Sequence, residues 1–171
     1  KGISYVNRSD DYHGVAISGP KSRELLNQII RDDVSPESFK FRDIRQTYVG
    51  DVPAIIIRMS FSGELGYEIY CKPHYLVKLA ESIEEAGNDL GFCWYGARAL
   101  LSMRLEKQWG VWTLDYRPDF TAAESGLDAF IDWNKDFIGK EPAEREHLEG
   151  IKQKLITLTI ESGEIDVSND E

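Results

Sequence analysis

The sequence predicts an α+β protein built mainly on antiparallel sheet, and three observations carry that prediction. Short runs of apolar residues alternate with period two, as half-buried strands do. Two of these runs are separated by only a Gly-Asp pair, the spacing of a hairpin. Stripes of helical period fall before and after them, giving the order strand, helix, strand, strand, strand, helix, helix, strand.

The first element is His13-Gly14-Val15-Ala16-Ile17, apolar alternating with small, which stops at Ser18-Gly19-Pro20. Pro20 suits the opening of a helix, where its missing N–H leaves no hydrogen bond unmade, and Leu25, Leu26, Ile29 and Ile30 then recur at helical spacing. Ser35-Pro36-Glu37 repeats that start signal and predicts a second, short helix. Strands at Ile44 to Val49 and Val52 to Met59 flank the Gly50-Asp51 turn. A further turn at Ser62-Gly63-Glu64-Leu65-Gly66 leads into Tyr67-Glu68-Ile69-Tyr70-Cys71, in which Tyr67, Ile69 and Cys71 share one face and Glu68 and Tyr70 the other.

Leu76, Leu79, Ala80 and Ile83 form an amphipathic stripe that ends near Gly87 or Asn88. A last helix is predicted from about Tyr95 to Lys107, burying Ala97, Leu100, Leu101 and Leu105. Trp109 to Thr121 reads as a long aromatic-rich loop, and long ordered loops are often functional. Lys154 to Ile160 reads as a late strand ahead of an acidic, structureless end. The opening residues, from Lys1, also read as a strand; with no initiating Met, this suggests a piece of a longer chain.

Composition narrows the function classes. The chain has 171 residues, 42% hydrophobic and 29% charged, enough for one large or two small globular domains. No apolar run approaches the ~20 residues of a membrane-spanning helix, and no signal-peptide pattern is visible, so no membrane partner is expected. The net charge is −10, of which −6 lies in Glu141 to Glu171 (nine acids against three bases). An acidic chain repels phosphate backbones, which argues against nucleic acid, and the acidic tail reads as a solvated surface. Cys71 and Cys93 stand apart among apolar residues, as buried reduced thiols would; His13, His74 and His147 are scattered, so no metal site is expected.

The chain has no phosphate-binding Gly-Lys-Ser/Thr loop, dinucleotide fingerprint or nucleophile elbow. Two residues break their local pattern. Glu68 sits in a strand among aromatic and apolar neighbours, where strand propensity disfavours a carboxylate, and Arg98 sits in an otherwise apolar helix. Either they bind something, or they are a surface Glu and a snorkelling Arg, or they pair with each other. Trp94, Tyr95, Trp109, Trp112 and Tyr116 pose the same choice, between core and the lining of a planar-ligand site.

Four ordered motifs carry a resemblance. They are Ser18-Gly19-Pro20 through Leu25-Leu26; Arg58-Met59-Ser60-Phe61-Ser62-Gly63-Glu64-Leu65-Gly66-Tyr67-Glu68-Ile69; Tyr95-Gly96-Ala97-Arg98 through Met103-Arg104-Leu105-Glu106-Lys107; and Thr121-Ala122-Ala123-Glu124-Ser125-Gly126-Leu127 followed by Asp136-Phe137-Ile138-Gly139-Lys140. Together, over roughly Ser4 to Ile160, they resemble the glycine-cleavage T-protein (aminomethyltransferase) family. Leu65, Lys107 and the Trp109 to Thr121 stretch resemble most closely the C-terminal folate-binding module of dimethylglycine and sarcosine dehydrogenases.

The resemblance implies a ferredoxin-like, T-protein folate-binding core over 1–146 and, over 147–171, the start of a C-terminal barrel whose first strand is 154–160. It implies tetrahydrofolate as cofactor, with Glu68 as the pterin-binding carboxylate and Arg98, Tyr70, Trp112 and Tyr116 as further contacts. FAD belongs to an upstream domain of such dehydrogenases, and no residue here is assigned to it. The family's Asp near folate N10 falls upstream of Lys1, so no catalytic residue is named in this chain.

The implied function is capture of a one-carbon unit, derived from an N-methyl amine, as 5,10-methylenetetrahydrofolate. The alternatives are a stand-alone aminomethyltransferase or folate-dependent demethylase, a non-catalytic scaffold of the same fold, and an ordinary interaction domain. A bacterial cytoplasm or the mitochondrial matrix is the implied compartment. Sheet edges left open by missing strands would invite dimerisation.

Overall fold

The computed structural model describes residues 2–161 and 163. It divides into two compact units, Lys1–Lys107 and Gln108–Glu171. The expected α+β class, with an antiparallel sheet and helices, is met.

In the first unit, four strands form one sheet in the order β1-β4-β3-β2: β1 His13–Ser18, β2 Ile44–Val49, β3 Val52–Ile57 and β4 Gly66–Cys71. Every neighbouring pair is antiparallel. The hairpin closes where the sequence predicts, with Val49 opposite Val52 and Gly50 at φ 57°, a left-handed conformation that glycine adopts without steric cost. Strand β4 lies inside the sheet, paired to β1 along its whole length and to β3 from Glu68 to Cys71.

Two helices cover one face, α1 (Ser22–Ile29) and α2 (Leu76–Gly87). Leu25 and Leu26 of α1 and Leu79 and Ile83 of α2 form a single core with Ile17, Ile56, Tyr67, Ile69 and Cys71 of the strands. Each such large apolar side chain contributes about 1.5–3 kcal/mol on burial. The other sheet face presents Gly14, Ala16, Ile55, Ile57, Glu68 and Tyr70, the alternate residues of the same strands.

Several local expectations are corrected. Ser35-Pro36-Glu37 forms a turn, because Asp33 accepts both the Ser35 N–H at 2.9 Å and its hydroxyl at 3.1 Å, and the stretch closes on the buried Phe39. Strand β3 stops at Ile57, since the Met59 N–H folds back to the Ile57 carbonyl at 3.0 Å. Helix α3 forms at Ala97–Glu106, but Ala97 and Leu105 are exposed, Leu100 and Leu101 are half-buried, and the buried side chain is Arg104. Cys93 is exposed, in the irregular stretch before α3, whereas Cys71 is buried as expected and burial pushes its thiol pKa up. The opening residues 2–7 form no strand.

In the second unit, residues 109–121 are irregular, as the sequence suggests, apart from one isolated bridge between Trp112 and Tyr116. Thr121 and Glu124 cap each other: the Glu124 carboxylate accepts the Thr121 N–H, and the Thr121 hydroxyl accepts the Glu124 N–H, both at 3.1 Å. A helix that the sequence reading omits, α4, spans Lys140–Glu149. Residues 154–160 are not a strand. They are exposed, and the backbone bond there is Leu155 N–H to the Glu124 carbonyl at 2.8 Å, so the alternation joins no sheet among the described residues. The acidic end expected after Glu161 lies, Gly163 apart, outside the described residues.

One core residue carries a cost. Tyr67 is fully buried, stacked on Phe39 at 6.0 Å with the Arg58 guanidinium 5.7 Å from its ring, and its hydroxyl has no hydrogen-bond partner among the described residues. Burying an unpaired hydroxyl costs about 1–3 kcal/mol. Tyr67→Phe is therefore expected to leave stability unchanged or raise it by about 1 kcal/mol, whereas Ile69→Ala should cost about 2–5 kcal/mol. Urea unfolding checks both; a Tyr67→Phe loss as large as the Ile69→Ala loss would contradict the packing described.

Candidate functional site

A strand alternates its side chains, so burying Tyr67, Ile69 and Cys71 forces Glu68 and Tyr70 onto the uncovered face. Glu68 is half-buried there, opposite Ala16 on β1 and Ile57 on β3. The Tyr70 hydroxyl donates to Glu68 Oε2 at 2.7 Å. That bond, with burial and the charge of Glu68 adding to it, pushes the Tyr70 phenol from its ordinary 10.0 up to about 12.

The small residues of β1 make this arrangement possible. A Cβ on Gly14, opposite Tyr70, would stand 2.8 Å from Tyr70 Cδ1, so the absence of a side chain lets the ring lie across the strand. Ala16, opposite Glu68, keeps that flank of the carboxylate low. A carboxylate offers about four lone-pair sites and the tyrosine uses one, which leaves acceptor capacity for a paired donor edge.

The turn before β4 ties two distant motifs together. Gly63 has φ 80°, and a Cβ there would meet Lys107 Cβ at 2.8 Å. The Lys107 ammonium sits 2.6 Å from Glu64, which raises its pKa. Ser62 is buried, and its hydroxyl bonds those of Ser18 and Ser60. The sequence marks this segment as a turn and as part of a motif, but serines in a turn carry no pattern of their own that would reveal the hydroxyl cluster.

Two hollows among the described residues of this unit bear on the site. One, of about 610 Å³, runs between β1 and residues 90–96 and is lined by Phe92, Trp94, Tyr95, Leu25 and Met103 among others. Lys21 is the one charged residue in its lining, so it offers no anionic acceptor. The other, of about 560 Å³, is a shallow groove holding Tyr12, Gln46, Tyr48, Ile55, Tyr70 and Lys72. The groove is the better candidate despite its openness, because Tyr70 links it directly to the Glu68 carboxylate.

Not every residue singled out from the sequence is brought together. Arg98 is exposed at the start of α3, lines neither hollow and forms no ion pair with Glu68 among the described residues, so their mutual salt bridge is not seen. Trp94 and Tyr95 line the larger hollow. Trp112 and Tyr116 belong to the second unit, where they meet edge to face at 5.7 Å. No group of three or more His, Cys, Asp or Glu residues suited to a metal occurs among the described residues.

Comparison with known proteins gives a consistent result. The model of the GCVT N-terminal domain matches residues 1–135. Mouse mitochondrial dimethylglycine dehydrogenase is 34% identical over 171 residues, 99% of this chain and 20% of that protein. Mouse mitochondrial sarcosine dehydrogenase is 32% identical, over 91% of this chain and 17% of its own length. The aminomethyltransferase of Halothermothrix orenii is 33% identical, over 88% of this chain and 42% of its own. The chain thus spans about a fifth of the dimethylglycine dehydrogenases it matches.

The Glu68–Tyr70 contact is open to a direct check. Absorbance titration of the phenols should show one ionising near pH 12, and Glu68→Gln should bring it back toward the ordinary ~10. Because the folded-state value is the raised one, the stability this contact gives is complete below pH ~10 and is lost as pH climbs through about 12. A titration unchanged by Glu68→Gln would show that the contact is absent in solution.

Proposed function

The chain belongs to the GCVT N-terminal domain family, an aminomethyltransferase-like family of folate-dependent one-carbon transfer, and on that premise we propose that it is a tetrahydrofolate-binding module. The parent in this reading is an FAD-dependent dehydrogenase of the dimethylglycine or sarcosine type, and the module captures the oxidised methyl group as 5,10-methylenetetrahydrofolate. The observation that carries the reading is Glu68: a half-buried carboxylate in the middle of a sheet, held by Tyr70 and flanked by Ala16.

The donor set fits the ligand. A pterin presents two adjacent N–H donors on its amino-oxo edge, and an ionised carboxylate accepts both in parallel. Tyr70 fixes one oxygen of Glu68 through its hydroxyl, which orients the carboxylate plane before a ligand arrives. Bound tetrahydrofolate would supply N5 of its ring and N10 of the bridge beyond it, the two nitrogens that receive the one-carbon unit; the residues here bind and orient it. Arg98 is proposed as a contact to a folate carbonyl or carboxylate. Trp112 and Tyr116 offer aromatic faces of the kind that stack on planar rings.

No residue of this chain is assigned to FAD, and none to proton transfer. No helix among the described residues is long and apolar enough to cross a membrane, and a mitochondrial matrix or bacterial cytoplasm suits the reading. A stand-alone aminomethyltransferase is the second reading, favoured by the match to the Halothermothrix orenii protein, which covers a larger share of that shorter relative.

Two charge-assisted hydrogen bonds are worth about 1.5–3 kcal/mol each, so Glu68→Ala should weaken binding of 5-formyltetrahydrofolate ~100-fold or more while unfolding stays cooperative. Equilibrium dialysis measures this. An affinity equal to that of the unsubstituted chain would refute the assignment of Glu68.

A further inference from the structure

We infer that Lys72 is the residue that takes the carboxylate end of the folate, so that Glu68 and Tyr70 of β4 and Lys72 just past its end read three successive parts of one ligand. The inference rests on the folate reading above and goes beyond it to the tail. Glu68 and Tyr70 alternate with the buried Ile69 and Cys71 on the uncovered face of β4, and Lys72 follows directly after the strand with its backbone still extended (φ −64°, ψ 145°), which continues the row. Four residues of strand span ~13 Å, far more than a pterin ring alone covers. Folate has the chemistry such a row requires: a donor edge at one end, a benzoyl ring in the middle and free carboxylates at the other end.

The groove of about 560 Å³ supplies the middle and the far end. Tyr12, Tyr48 and Ile55 give it aromatic and aliphatic walls, and Tyr70 joins it to Glu68. The Lys72 ammonium stands 4.2 Å from the Tyr12 ring centroid, a cation–π contact that holds the charge within the groove. Lys72 makes no ion pair among the described residues. Asp11, the acid that feels its field, is already held by Arg8 at 2.6 Å, and both effects lower the Asp11 carboxyl. Asp32, also in the groove lining, accepts the Thr47 hydroxyl. The lysine charge is thus the one left for an incoming anion.

The test compares three probes on the full 171-residue chain by equilibrium dialysis. They are 5-formyltetrahydrofolate, its triglutamate, and 6-methyltetrahydropterin, which has the donor edge and no tail. Lys72→Gln should weaken the first about tenfold and the second more, and leave the tailless pterin unchanged; Lys72→Arg should restore most of the loss. Unchanged folate binding by Lys72→Gln would overturn the inference while leaving Glu68 and the folate reading in place. An equal loss for all three probes would overturn it too, because the lysine would then be acting through the fold. If the unsubstituted chain binds neither folate nor pterin, the folate reading itself fails and the inference fails with it.

Discussion

The two-residue alternation of β4, imposed on a strand that is paired on both edges, is the constraint on which the rest depends. One of its faces is closed by α1 and α2, and Tyr67, Ile69 and Cys71 are committed to that core. A one-residue slip would carry Glu68 into the core, at a cost of several kcal/mol for an unpaired buried charge. The register that hides three apolar side chains therefore fixes where the carboxylate stands. Stability of the core and presentation of the site are one decision.

The surroundings serve the same decision. Glycine at position 14 and alanine at 16 on β1 keep the neighbouring strand low, so Tyr70 can lie across it and bond Glu68. Gly63 lets Lys107 approach the turn, and the Glu64–Lys107 ion pair links the turn to the end of α3. Residues far apart in the chain, Ser18, Ser60 to Glu64 and Lys107, thus meet around the entrance to β4.

The first unit was largely legible in the sequence, because its elements announce themselves by period and punctuation. Strand β1 ends at a Gly-Pro pair, the β2–β3 hairpin turns at Gly50-Asp51, and α2 carries an unbroken apolar stripe. Glu68 was legible as an acid out of place in a strand. What failed was burial that depends on tertiary partners. On α3 the leucines suggested a buried face, yet Arg104 lies innermost and Arg98 is exposed. Cys93 sat among apolar residues in sequence and is exposed in space. Helix α4 is polar all round and offers no stripe to read, while residues 154–160 have a strand's alternation and no neighbouring strand among the described residues to pair with. The hydroxyl cluster of Ser18, Ser60 and Ser62 joins residues more than forty positions apart, which no local pattern reveals.

The central claim is that the Glu68 carboxylate receives the amino edge of a pterin on the open face of this sheet. The most direct test is a crystal structure of the chain grown with 5-formyltetrahydrofolate. The pterin amino edge is expected within ~3 Å of Glu68, with Tyr70 still donating to the same carboxylate. Ligand seated instead in the apolar hollow beside β1, with Glu68 facing solvent, would contradict it.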